Sequence, residues 1–390
     1  MEQVRIGIIG CGNMGSGHAA YLTAGKIPTA KLTAVCDISP ARLQWAKENA
    51  NPDGDLHTFA SAEELLSARV CDAVIIATPH YFHPVYARQA LAQGYHVLSE
   101  KPAGVYTKAV RELNEQAVQT DRVFGIMFNQ RTNPMYQKVR EMVQSGMLGE
   151  MKRVVWIITN WYRPQSYYNS GGWRATWAGE GGGVLLNQDP HQLDLWQWIC
   201  GMPVRVRAFC AFGKYHDIEV EDDVTAYVEY PNGATGLFVT TTGEAPGTNR
   251  LEISGNNGKI VVEDGKITFW KLKVGEREFN ASWDKGFGAP EYIVEDVPFS
   301  GEETAHAGIT ANFVSAIING TPLLSPGIEG IRGLTLSNAM HLSAWTDGWV
   351  DLPIDEDGFY AELQKRVATS KEKGETAAVT ADLQGTFGKK

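Results

Sequence analysis

Cysteine, clustered basic charge and long apolar runs are all scarce in this chain, and each scarcity closes off a class of function. Five cysteines occur, Cys11, Cys36, Cys71, Cys200 and Cys210, an odd number with no C-x-x-C spacing. That argues against a disulfide framework or a zinc ribbon and for free thiols in a reducing compartment. Net charge is −10 and no run of Lys or Arg stands out, which argues against nucleic acid as a partner. No apolar stretch reaches membrane-spanning length, and the N-terminus shows neither a basic leader nor an apolar signal core. The expectation is a cytoplasmic protein without membrane contact. His/Cys pairs at metal-ligand spacing are missing too, so no metal site is expected. Tryptophan, in contrast, is plentiful. Eleven of them call for an aromatic substrate cleft, a large subunit contact, or both.

The most informative stretch runs from Arg5 to Gly15. The apolar run Ile6 to Ile9 feeds into Gly10-x-Gly12-x-x-Gly15, and an amphipathic stretch, His18 to Leu22, follows. This is the strand, glycine turn and helix of a dinucleotide-binding unit. Gly10 permits the tight turn, Gly12 lets the backbone approach a pyrophosphate, and Gly15 lets the helix pack on its strand. The phosphates then meet free N–H groups at the helix's positive end. A second strand, Lys31 to Cys36, ends in Asp37, 22 residues beyond Gly15. A carboxylate there hydrogen-bonds the adenosine ribose and repels a 2′-phosphate, which favours NAD over NADP.

The first 128 residues alternate strand and helix, with Ala73 to Ala77 as a strand covered on both faces and further strands at His96 to Ser99 and Val123 to Phe128. A doubly wound Rossmann domain, residues 1–128, is expected. From Asn129 the texture changes to β-branched and aromatic strands separated by Asn232-Gly233, Asn257-Gly258 and Asp264-Gly265 turns. Residues 129–369 therefore read as an α+β domain with a large, mostly antiparallel open sheet. Helices at Pro134 to Gln144, Leu185 to Ile199, Thr304 to Ile318 and Ile328 to Ala344 are expected on one face. The other face is expected to be a subunit interface. Residues 370–390 are polar and read as a tail or arm.

Ligands in a doubly wound sheet bind beyond the carboxyl ends of the strands, so Lys101, just after His96 to Ser99, arrives beside the cofactor. Partial burial near a nicotinamide cation lowers its pKa and suits it to exchange a hydroxyl proton.

At this point the chain resembles the Gfo/Idh/MocA oxidoreductases. The resemblance rests on the glycine turn, Ala77-Thr78-Pro79 with His83, and Gly94-Tyr95-His96-Val97 leading into Glu100-Lys101-Pro102. It continues through Asn129-Gln130-Arg131-x-Asn133-Pro134 and Gly181-Gly182-Gly183 to His191-x-x-Asp194, spanning about the first 200 residues. It implies an NAD-dependent oxidation of a secondary hydroxyl on a sugar, glycoside or cyclitol, with Lys101 as acid/base on a cis Lys-Pro bond and His191 as its partner at the hydroxyl. The cofactor set it implies is Gly10, Gly12, Asn13, Met14, Gly15, Asp37, Thr78, Pro79, His83, Glu100, Lys101 and Asn129. A homotetramer is implied as well.

The family often pairs an Asp with a His four residues later; here Asn187 stands four before His191, and an amide can orient but not exchange a proton. Asp189 before Pro190 reads either as a helix cap or as a proton-exchanging group, and Asp194 as the residue that orients His191. His83 reads either as a cap or as a border of the nicotinamide, and His18 as a packing residue. Arg131, Tyr162, Arg163, Trp173 and Arg174 join Lys101, Asn187 and His191 as the substrate set, since flat aromatic faces with nearby donors suit a sugar ring. The wording Tyr-Tyr-Asn-Ser-Gly-Gly-Trp-Arg-Ala-Thr-Trp, residues 167–177, is similar to members that oxidise glucosides at C3. Two other activities stay open: an NAD-dependent glycosidase acting by transient oxidation and elimination, and a non-catalytic sensor.

Overall fold

The computed structural model describes residues 2–371 and residue 373. Among these residues six strands form a parallel sheet: β1 (Val4–Ile9), β2 (Ala30–Cys36), β3 (His57–Phe59), β4 (Ala73–Ile76), β5 (His96–Ser99) and β6 (Phe124–Ile126). Their order is β3-β2-β1-β4-β5-β6. The winding reverses between β1 and β4, which leaves a crevice beyond their carboxyl ends. All four residues of β4 are buried, as a strand covered on both faces requires. Gly10, at φ +93°, makes the turn after β1 in a backbone region that side chains avoid. Gly15 is packed so closely that a Cβ would lie 1.9 Å from the Gly10 carbonyl oxygen.

The second sheet has nine strands among the described residues. They are β7 (Met151–Ile158), β8 (Arg205–Phe212), β9 (Glu221–Glu229), β10 (Thr235–Thr241), β11 (Asn249–Gly255), β12 (Gly258–Glu263), β13 (Lys266–Leu272), β14 (Tyr292–Asp296) and β15 (Val350–Asp351). The order is β14-β13-β12-β11-β7-β10-β9-β8-β15, with β10 and β7 the one parallel pair of this sheet among the described residues. Strand alternation puts Val154, Trp156, Val206, Ala208, Ala226 and Phe238 on the inner face, in one core with Trp196, Leu334 and Met340 from the covering helices Pro190–Cys200 and Gly330–Thr346. Trp156 is fully buried and still satisfies its indole N–H, which donates to Asn249 Oδ1 at 3.0 Å. On the opposite face Phe209 and Tyr227 stand 64% and 39% exposed.

Several features differ from the sequence reading. The helix expected from Leu185 begins at Pro190. Before it, Gly181 sits at φ +83° and Gly183 lies where a Cβ would meet the Glu221 carbonyl at 2.0 Å, so residues 181–189 turn instead of coiling. Strands β14 and β15 were not expected; one is exposed throughout or nearly so and the other is two residues long. The helix Ala305–Asn319 leaves the second sheet and packs on the first, with Ile309, Phe313 and Val314 against Val4, Ile6, Ile8 and Leu98. Of the expected tail, residue 372 and residues 374–390 lie outside the described residues.

Candidate active site

The crevice accepts a dinucleotide on its own geometry. Gly12 begins the helix Asn13–Thr23 with no side-chain cap, and a Cβ there would meet no described atom within 4 Å. Free amides and open space therefore coincide at this turn, as the seating of a pyrophosphate requires. Asn13 Oδ1, Thr78 Oγ1 and both side-chain polar atoms of Asn129 are buried without a partner among the described residues. Such orphans in a native fold ask for a ligand or water. Asp37 accepts the Cys11 N–H at 2.7 Å and the Ser39 N–H at 2.8 Å, one on each carboxylate oxygen, and lone pairs remain for ribose hydroxyls. Beside it Ile38 is 90% exposed, an apolar surface that sequence reasoning missed.

Lys101 follows β5, and its peptide bond to Pro102 is cis. Its Nζ donates to the Asn187 carbonyl at 2.8 Å, so the 181–189 turn and the strand end meet at the amine. Burial pushes the amine below its ordinary range; Arg174 and Arg163 push the same way, while Glu100 and Glu180 oppose. His191 stands in the first turn of the helix Pro190–Cys200, 6% exposed, with Nδ1 buried and unpartnered among the described residues. Burial, with Lys101 nearby, holds it well below the usual histidine range. Both groups are thus biased toward their uncharged, proton-accepting forms.

Behind Lys101 lies a network of buried groups. Glu100 Oε1 pairs with His18 Nε2 at 2.7 Å, and Glu100 Oε2 accepts the Lys101 N–H at 3.2 Å. Burial works against ionisation of Glu100, but the His18 hydrogen bond and charge outweigh it and hold the carboxyl at about 2. His18 Nδ1 lies 2.7 Å from the Tyr21 hydroxyl, which in turn lies 2.7 Å from Thr310 Oγ1 on the helix Ala305–Asn319. His18 is therefore more than a packing residue. His306, whose ring meets that of His18 edge-on at 5.9 Å, also reaches this group. Burial pushes it down to about 4.

The aromatic stretch forms the opposing wall. Arg174 lies over the rings of Tyr167 and Trp173 at 4.5 and 4.8 Å, and its Nη1 donates to the Tyr167 hydroxyl at 2.7 Å. That hydroxyl donates to Asn187 Oδ1 at 3.3 Å. Arg163 covers the other ring pair, Trp161 and Tyr167, at 5.4 and 5.3 Å. Trp173 meets His80 edge-on at 5.6 Å. The buried Glu180 carboxylate accepts from Ala175 N and Asn187 Nδ2, and burial raises its pKa. His80, Glu180 and His306 belong to this cluster and were missed, because none carries a motif's chemistry and each arrives from a different segment.

Several assignments need correction. Asn187 is not on a helix with His191; it reaches the site from the turn, through its carbonyl. Arg131, 1% exposed, has its guanidinium committed to Asp194 at 2.6 and 2.8 Å, to Glu329 at 2.6 Å and to the Leu324 carbonyl at 3.1 Å. It braces the fold and presents nothing to a substrate. Asp194 consequently serves Arg131 and Gln197, not His191. His83 is not a cap: it lies inside the helix Phe82–Ala92, and its two ring nitrogens lie 2.7 Å from the Thr78 and Pro102 carbonyls, just beyond the ends of β4 and β5. Asp189 makes no capping hydrogen bond. It is fully buried near Thr240 and Trp161, and burial pushes its carboxyl up to about 8. Tyr162 is 50% exposed, and its carbonyl accepts from Arg163.

Known proteins resemble this chain in sequence and in fold. The NAD-binding Rossmann-fold model of the GFO/IDH/MocA oxidoreductase family matches residues 4–128, and the family's C-terminal domain model matches residues 136–261. An inositol 2-dehydrogenase of Rhizobium meliloti is 24% identical, over 86% of this chain and 95% of its own length. A D-glucoside 3-dehydrogenase of Escherichia coli is 29% identical, over 59% of this chain and 68% of its own. The WlbA dehydrogenase of Bordetella pertussis, solved with NADH and UDP-GlcNAcA, superimposes with a TM-score of 0.76 at 26% identity, covering 90% of this chain and 100% of that one. The chain belongs to the GFO/IDH/MocA family of NAD-binding oxidoreductases.

Proposed function

We propose that this oxidoreductase converts a secondary hydroxyl of a sugar, glycoside or cyclitol to the ketone, with C3 of a glucoside as the favoured position. The observation that carries this reading is the pair Lys101 and His191, both held toward their neutral forms at the carboxyl end of the parallel sheet. NAD, when bound, supplies the hydride acceptor. The chain's residues do the rest. Gly10 to Gly15 and Asp37 hold the dinucleotide; Asn13, Thr78 and Asn129 offer it their buried polar atoms. Lys101 takes the hydroxyl proton while the carbon loses its hydride, and His191 holds the same oxygen. Asn187 fixes the amine through its carbonyl. Glu100, kept ionised by His18, pins the Lys101 backbone from behind. Trp173, Arg174 and Arg163 form the wall against which a ring stacks. The names of the relatives support the substrate class, and the second of them supports C3.

The test is growth of the NADH band in mixtures of protein, NAD and a panel of inositols, hexoses and aryl glucosides at mildly alkaline pH. Growth with one group establishes the reading and names the substrate. A flat trace with released aglycone would replace it with the glycosidase, and a flat trace without release with the sensor. The exposed outer face of the second sheet supports self-association, and the resemblance favours a homotetramer. A monomer peak on size-exclusion chromatography would overturn that.

A further inference from the structure

Resting on the reading of Trp173 and Arg174 as part of the substrate's seat, the described C-terminal residues gain a role. Lys373 reaches back across the chain, and its Nζ donates to the carbonyls of Tyr168 at 3.2 Å and Arg174 at 2.9 Å. These carbonyls bracket a segment that contains Gly171-Gly172 and, after Tyr168, only turns and bends. The segment is also tied through side chains, the Tyr168 hydroxyl lying 2.7 Å from Thr242 Oγ1 and Arg174 3.7 Å from Glu180, and just beyond it Ala175 N donates to Glu180 at 2.5 Å and Trp177 N to Glu219 at 3.2 Å. Ala175 itself sits at φ +57°, a conformation a non-glycine residue keeps only when its surroundings enforce it.

The same arm is anchored next to the same loop. Ser370 Oγ donates to Glu219 Oε2 at 2.6 Å and accepts the Ala178 N–H at 3.2 Å, and Lys371 N donates to Glu219 Oε1 at 2.5 Å. Glu219 thus holds both the arm and the loop. Between them lies a cavity of about 260 Å³, bordered by Gly172, Trp173, Ser370 and Lys373 among others. An ammonium, with three donors and no acceptor, suits a site made of two carbonyls. From the bracketed segment the contacts run inward: Arg174 to the Tyr167 hydroxyl, that hydroxyl to Asn187, and the Asn187 carbonyl to Lys101.

We propose that Lys373 is a positioning residue that latches the 168–174 segment in place over the site and thereby sets how tightly the substrate is held. It touches no reacting atom. Its removal loosens Trp173 and Arg174 before it disturbs Lys101, whose own partner is a backbone carbonyl in a separate turn.

The test compares the full-length wild type with Lys373→Met and Lys373→Arg. Amide hydrogen exchange, measured without substrate, is expected to quicken about tenfold across residues 169–174 in Lys373→Met, the scale of one lost charged hydrogen bond. In steady-state kinetics KM for the sugar rises about tenfold, with kcat within about twofold and KM for NAD unchanged. Lys373→Arg, which keeps the donors, restores most of both. Wild-type exchange across 169–174 in Lys373→Met would overturn the latch, as would a fall in kcat with KM unchanged. Because exchange needs no turnover, it decides on the latch even where no sugar of the panel is oxidised; that second result would sink the dehydrogenase reading alone.

Discussion

Replacing Arg131 with Met separates the sequence reading of that residue from the structural one. Its guanidinium faces Asp194 in a two-pronged pair, both side chains 1% exposed, and lies over the rings of Phe128 and Trp198 at 5.4 and 5.2 Å. Methionine fills part of the volume but leaves Asp194 with Gln197 as its remaining side-chain hydrogen-bond donor among the described residues, at 2.9 Å. Glu329 suffers less, being 21% exposed and within 3.4 Å of Arg332. The loss is therefore that of one uncompensated buried carboxylate, about 3–5 kcal/mol. Burial already raises the pKa of Asp194 against the pull of Arg131, so without the guanidinium it rises further. A group whose folded pKa is raised is stabilised by protonation, so the variant's deficit shrinks as pH falls. Urea unfolding at pH 8 and pH 5.5 reads both effects, and sugar kinetics at low temperature should show KM within about twofold of wild type. A wild-type unfolding midpoint with KM raised about tenfold would refute this reasoning and return Arg131 to the substrate.

The glycine turn offers a contrasting pair. Gly12→Ala places a methyl where the fold has open space, at φ −72°, so it should melt as wild type does yet bind NAD at least about tenfold more weakly by calorimetric titration. Gly15→Ala drives a methyl against the Gly10 carbonyl and should lower stability by about 1–3 kcal/mol. NAD binding unchanged in Gly12→Ala would remove the pyrophosphate from this turn. Asp189 supplies a pH test: with its carboxyl at about 8 in the fold and near 4 when unfolded, the folded state binds more protons between those values, and stability falls as pH rises through them. Asp189→Asn should flatten that fall by up to about 1.4 kcal/mol per pH unit. Parallel stability–pH curves for the two proteins would show that Asp189 ionises normally.

What the sequence disclosed follows from how local each signal is. Gly10 to Gly15, the run Ala73 to Ala77 and the Asn-Gly turns each announce themselves within a few residues, and the parallel sheet and most of the second sheet came out as expected. The place of Lys101 at the crevice was legible because it follows a strand end, where ligands of such sheets bind. The site's partners were not, since they depend on which segments meet. Nothing local marks His306, which enters from a helix that crosses back to the first sheet, or His18, which reaches Glu100 82 residues away. Arg131 and Asp194 carried the right chemistry for a site, but burial turned them on each other. Asn187 was read on a helix because Leu185 and Leu186 continue an apolar period; three glycines just before it and a proline just after it decided otherwise.

The account turns on Lys101 as the group that moves the proton and not one that holds the cofactor. Lys101→Met, measured beside wild type for NAD affinity by fluorescence titration and for NADH formation with the active sugar, tests that division directly. The predicted result is NAD affinity within about twofold of wild type with turnover down by about a thousandfold or more. Turnover within tenfold of wild type, or NAD affinity lost along with it, would contradict the role assigned to this lysine.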